Sequence, residues 1–150
     1  MKREVVVDVS VTIAAPPDVV WAELEQVEHH VDWMRDAVAI RFDGERRRGT
    51  GTSFACDTKV GPLRLTDHME VTEWEPGTAM AVRHIGAVSG EGRFVLRASA
   101  AGTELTWREA LSFPWWLGAG VGARVARPIL AALWRGNLQG LRERIVRPQP

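Results

Sequence analysis

The chain has 150 residues, 45% of them hydrophobic, and nineteen basic side chains balance nineteen acidic ones. This length predicts one domain over 1–150 that buries about 70% of its unfolded surface. Zero formal charge removes the electrostatic basis for binding nucleic acid. A lone cysteine, Cys56, excludes an internal disulfide and fits a reducing, cytoplasmic setting.

Val5, Val7, Val9, Val11 and Ile13 alternate with Glu4, Val6, Asp8, Ser10 and Thr12, the period of a strand with one buried face. Pro16-Pro17 stops it, and proline is accepted in the first turn of a following helix. Val20, Leu24, Val27 and Val31 then recur at helical spacing, which predicts two short helices running to Met34. His29 and His30 are adjacent, so they point to different helix faces and make a poor metal pair.

From Ala37 the pattern returns to strands, near 37–44, 50–60, 63–75, 78–86, 90–99 and 102–113. Turn formers separate them: Gly44, Gly49 to Gly51, Gly61-Pro62, Pro76-Gly77, Gly86 and Ala101-Gly102. Connections this short require antiparallel neighbours, hence a meander. Arg46-Arg47-Arg48 beside Asp43-Gly44-Glu45 reads as a solvated loop, and Cys56, alternating with Phe54 and Thr58, as a small core residue.

Phe113 to Ala126 is the greasiest stretch, but glycines and Arg124 interrupt it and it is too short to span a bilayer. Trp115 and Trp116 lead into Gly118-Ala119-Gly120-Val121-Gly122, which predicts a lid over a cavity mouth or, alternatively, a contact with a membrane surface or a second subunit in a homodimer. The glycine spacing is wrong for a dinucleotide loop. Leu130, Leu133, Trp134, Leu138, Leu141 and Ile145 then form one face of a helix over 129–146, with Arg135, Gln139, Arg142 and Glu143 opposite. Pro128 predicts a kink or restart, with 115–126 a separate helical piece, and Gly136 and Gly140 leave a strip open to close approach.

The sequences Ile13-Ala14-Ala15-Pro16-Pro17-Asp18-Val19-Val20-Trp21, Trp33, Glu70-Val71-Thr72-Glu73-Trp74-Glu75-Pro76 and Gly102-Thr103-Glu104-Leu105-Thr106-Trp107 occur in this order of elements. Together they resemble the START-like (SRPBCC) helix-grip superfamily, with its polyketide cyclase/dehydrase and lipid-transport groups, over roughly residues 4–146. The resemblance implies an α+β fold: a curved antiparallel sheet of about seven strands wrapped around a long C-terminal helix, with two short helices after the first strand. It also implies a deep cavity for lipids, polyketides or other apolar ligands. It carries no universal catalytic set.

Polar residues on otherwise apolar faces are the candidates for chemistry, because an unpaired buried polar group is costly. Asp67 shares parity with Leu63, Leu65, Met69 and Val71; Glu109 with Leu105, Trp107 and Leu111; His84 with Met80 and Val82. Asn137 lies within the apolar arc of the last helix. If Asp67 and Glu109 share a dry cavity, desolvation raises at least one carboxyl pKa, the setting for general acid–base catalysis by a cyclase or dehydratase, with His84 or Arg108 polarising an oxygen. Each has a structural alternative: a bulge at Asp67 that turns His68 inward, a Glu109 pair with Arg93 or Arg97, a solvated His84, and an Asn137 bonded to backbone. Trp74, Phe94, Trp107, Trp134, Leu138 and Leu141, with His84 and Asn137, suit the wall of a ligand site, although the apolar ones suit an ordinary core equally well. The leading expectation is reversible binding of an apolar small molecule without metal or other cofactor. Catalysis by Asp67 and Glu109 is the alternative, and association through Trp115 and Trp116 a third.

Overall fold

The alternating valines form β1 (Arg3–Ile13) in a computed structural model that describes residues 3–114 and 122–147. Pro16, in extended conformation, caps α1 (Pro17–Leu24) without a side-chain hydrogen bond, and Pro17 occupies the first turn where no N–H is needed. A 3₁₀ turn (Val27–His29) and the single turn α2 (His30–Trp33) follow. The predicted helical stripe therefore holds only as far as Val27. The tighter 3₁₀ turn shifts the phase, so His30 and Trp33 are buried while Val31 is only half-buried.

The rest of the sheet is a meander: β2 (Ala37–Phe42), β3 (Ser53–Val60), β4 (Leu63–Glu75), β5 (Ala79–Ile85), β6 (Ser89–Ser99) and β7 (Gly102–Phe113). Every neighbouring pair is antiparallel, in the order β1-β7-β6-β5-β4-β3-β2. The helical segment between β1 and β2 thus carries the chain from one edge of the sheet to the other. One irregularity matters for function. The β4–β5 register shifts between Val71 and Glu73, beyond Asp67 rather than at it, so β4 keeps one parity from Leu63 through Val71 and changes it before Trp74.

The last helix, α3 (Gly122–Val146), runs unbroken with Pro128 inside it, not as two pieces. Proline there lies close to the helix start and is exposed, so the bond it removes and the local clash of its ring fall at the solvent-facing end of the helix. α3 lies along β1 and touches α1 and α2. Gly140 permits that approach, since a Cβ there would sit 3.1 Å from the Trp33 carbonyl oxygen. Arg144 pairs with Glu23 of α1 and, at 3.5 Å, with Asp32 of α2. This is the helix-grip arrangement: a curved seven-stranded antiparallel sheet holding a long C-terminal helix.

The larger core cluster joins β1, α1, β6, β7 and α3 through residues such as Val7, Trp21, Leu105, Leu138 and Leu141; a smaller one holds Val27, Phe54 and Val71. Trp74 packs against both and meets Trp21 edge-on at 5.3 Å. Trp115, Trp116 and the glycine run to Val121 lie outside the described residues.

The β6–β7 turn is sterically tight. Gly102 has φ +128°, and a Cβ there would lie 2.2 Å from the Ile13 carbonyl oxygen. Gly102→Ala is expected to destabilise the fold by at least about 2 kcal/mol, read as a lowered urea midpoint with an unchanged m-value.

Candidate functional site

Alternation on four strands builds the wall of one cavity. Phe54, Cys56, Thr58 and Val60 of β3, Leu63, Leu65, Asp67 and Met69 of β4, Met80, Val82 and His84 of β5, and Trp107, Glu109, Leu111 and Phe113 of β7 all line it. From α3 come Ala126, Ile129, Leu130 and Trp134, and from the helical segment Val27 and His30. The cavity measures about 370 Å³, within the roughly 300–1,000 Å³ typical of small-molecule sites.

Its polar groups converge. His84 Nδ1–H donates to Asp67 Oδ2 at 2.7 Å, and Nε2–H donates to Glu109 Oε2 at 3.0 Å. The Trp107 indole donates to Glu109 Oε1 at 2.8 Å. An imidazole that donates from both nitrogens is an imidazolium. Burial works against that charge, but the hydrogen bonds and charges of Asp67 and Glu109 outweigh it and push His84 up to about 10.

His84 and Glu109 stand on strands that are not neighbours, for β6 runs between β5 and β7. Adjacent strands lie about 4.8 Å apart, so the contact must pass over β6. That strand carries glycine at both places: Gly90 pairs with His84, and Gly92 with Glu109. A Cβ on Gly92 would sit 2.3 Å from Glu109 Oε1. The carboxylate occupies the space a side chain would fill. Neither glycine was singled out in the sequence, although Gly90-Glu91-Gly92 inside a strand is itself a sign of close approach.

Of the residues expected to form a site, Asp67, His84, Phe94, Trp107, Glu109 and Trp134 line the cavity together. Trp74, Asn137, Leu138 and Leu141 do not. Trp74 packs on Trp21, and the two leucines are in the core beneath the helix. Asn137 accepts the Arg35 backbone N–H at 2.9 Å and donates to Asp36 Oδ1 at 2.7 Å, tying α3 to the chain after α2. His84 is buried rather than solvated, and His68 is exposed. Glu109 pairs with His84, while Arg93 pairs with Glu73. Arg108 pairs with Asp8 on the exposed face of the sheet and polarises nothing in the cavity.

His30 and Asp36 also line the cavity, and neither was expected there from the sequence. His30 Nε2–H donates to the Leu24 carbonyl at 2.8 Å, which leaves Nδ1 as an acceptor, and burial pushes the ring down to about 4. Its phase on the helix depends on the 3₁₀ turn, which periodicity does not show. Burial also pushes the Cys56 thiol up to about 11, which keeps it unreactive at neutral pH. Among the described residues, no cluster of three His, Cys, Asp or Glu side chains is placed to hold a metal ion, and no helix is long and apolar enough to cross a membrane.

A family model described as polyketide cyclase/dehydrase and lipid transport matches residues 4–147. The chain belongs to this family. No curated protein matches the sequence. Among solved structures, TTHA0849 from Thermus thermophilus is similar with TM-score 0.80 and 17% identity, over 96% of this chain and 97% of that one. The Zhui aromatase/cyclase from Streptomyces sp. R1128 superposes with TM-score 0.69 at 20% identity, over 94% and 96%. The di-domain ARO/CYC StfQ of the steffimycin biosynthetic pathway gives 0.74 at 17%, over 93% of this chain and 49% of that one. At such identities the likeness is one of fold. Family membership and helix-grip architecture thus agree, while the buried ionic cluster is described from this chain's own residues.

The two buried histidines give stability opposite slopes. His84 has a raised folded-state pKa, so its contribution is complete below about 6.5 and is lost as pH rises through about 10. His30 has a lowered one, so the unfolded chain takes up its proton first and stability falls as pH drops from about 6.5 towards about 4. Urea unfolding across pH is expected to peak near neutrality, each limb sloping by up to about 1.4 kcal/mol per pH unit. His30→Gln should flatten the acid limb alone.

Gly92→Ala tests the crossing over β6. The methyl group displaces the Glu109 carboxylate, so the His84 pKa, followed by ring NMR shifts, is expected to fall by at least about one unit, worth about 1.4 kcal/mol. An unchanged titration would show that Glu109 does not need that space.

Proposed function

We propose that this protein reversibly binds an apolar small molecule in the cavity between the sheet and α3. One observation carries the reading: a large, mostly apolar space persists inside a chain rich enough in tryptophan to fill it. Trp107 and Trp134 stack on each other at 5.3 Å instead of spreading through the volume. Interiors usually pack to crystal-like density, so a space of about 370 Å³ calls for an occupant. The lipid-transport half of the family description is consistent with one.

A second reading has its own support in Asp67, His84 and Glu109. This trio has the components of acid–base catalysis, and Zhui is named an aromatase/cyclase. Against it stands the geometry of the imidazolium, whose two N–H groups are both engaged. Proton transfer from His84 to a substrate requires one carboxylate to swing away first. Binding requires no such rearrangement.

Native mass spectrometry and solvent extraction of the purified protein test the first reading, with a co-purifying apolar molecule as the expected result. Val82 lines the cavity, so Val82→Trp should fill it and weaken an apolar fluorescent probe tenfold or more while the far-ultraviolet spectrum stays unchanged. Equal probe binding by the variant and the original chain would count against the cavity as the binding site.

A further inference from the structure

Resting on the binding reading above, we infer that the cavity selects apolar molecules that carry a hydrogen-bond donor, a protonated amine above all, and rejects those that carry a carboxylate. The selection follows from what the wall offers a polar group. Among the residues whose side chains are described, which leaves out Arg124, no lysine or arginine lines the cavity. Among those same residues its acidic groups are Asp36, Asp67 and Glu109, and its one cation is His84.

That cation has nothing to give a ligand. Both of its N–H groups already donate, one to Asp67 and one to Glu109. The Trp107 indole donates to Glu109, and the His30 N–H donates to the Leu24 carbonyl. Trp134 retains an indole N–H with no partner among the described residues, but one neutral donor offsets only part of the cost of burying an anion.

Besides the Thr58 hydroxyl, which donates to Cys56 Sγ at 3.9 Å, what remains available is acceptor capacity. Asp67 Oδ2 bonds His84, while Oδ1 has no partner among the described residues, and the side chain is 18% exposed. His30 Nδ1 is an acceptor for the reason given above. Among the described side chains, a carboxylate entering this space meets like charge without a free compensating cation. An ammonium meets Asp67, in a cavity whose wall also carries the aromatic rings of Phe94, Trp107 and Trp134. A neutral alcohol falls between the two.

The test is a titration series on the intact protein at pH 7.5 by calorimetry, with three probes of one shape: 2-naphthylmethylamine, 2-naphthalenemethanol and 2-naphthoate. The expected order is amine, alcohol, carboxylate, with at least a thirtyfold span between the first and the last. In Asp67→Asn the amine-to-carboxylate ratio should shrink tenfold or more. If that variant fails to fold, the wild-type series decides alone, together with the pKa of a ¹⁵N-labelled amine, which must rise on binding. Naphthoate binding as tightly as the amine overturns the inference and leaves the cavity reading standing. If none of the three binds, the cavity reading falls and this inference falls with it.

Discussion

A missing row of side chains on β6 makes the interior of this protein what it is. Hydrogen-bonded strands normally present side chains that separate residues two strands apart. At Gly90 and Gly92 that barrier is absent, and an imidazole and a carboxylate meet across the gap. Gly90 could not be replaced for a second reason, since φ is +133° and a Cβ would lie 2.0 Å from the Ala110 carbonyl oxygen. Backbone geometry and electrostatics therefore demand glycine at neighbouring positions of one strand.

The cluster that results is costly in isolation and tolerable only when complete. Removing charges from water carries a penalty of several kcal/mol per ion, recovered only when geometry and hydrogen bonding are good. Here the histidine has two acceptors, and one of its carboxylates has a further donor in Trp107. All three titratable groups sit on strands of a single continuous ladder, so their spacing is set by backbone hydrogen bonds rather than by flexible loops. Rigid placement is the general requirement of a preorganised site.

The other half of the cavity depends on how α3 is held away from the sheet. Its C-terminal part is tied down by Asn137, by Gly140 against Trp33, and by Arg144 to α1 and α2. Leu138 and Leu141 complete that contact in the core, while further towards the N-terminus Ala126, Ile129 and Leu130 face the open space. Part of one helix is grip and part is wall. Ile129 is both cavity-lining and 54% exposed, which places it at the rim.

Much of this was legible in the sequence. Period-two alternation put Asp67, His84 and Glu109 each on an apolar face, and short Gly- and Pro-containing turns required the antiparallel meander, because both signals are local. What alternation cannot convey is which inward residues meet: His84 and Glu109 are twenty-five positions apart on non-adjacent strands, and their contact follows from register and from two absent side chains. Nor can helical period separate wall from core, which is why Asn137, Leu138 and Leu141 looked equivalent to Trp134. The chain by itself thus determined the strands, their order and their buried faces, since those follow from nearest-neighbour chemistry. Only the tertiary structure decided that three of those faces share one proton-bearing cluster beside an open volume, since distance in space depends on how the sheet bends and where the helix is anchored.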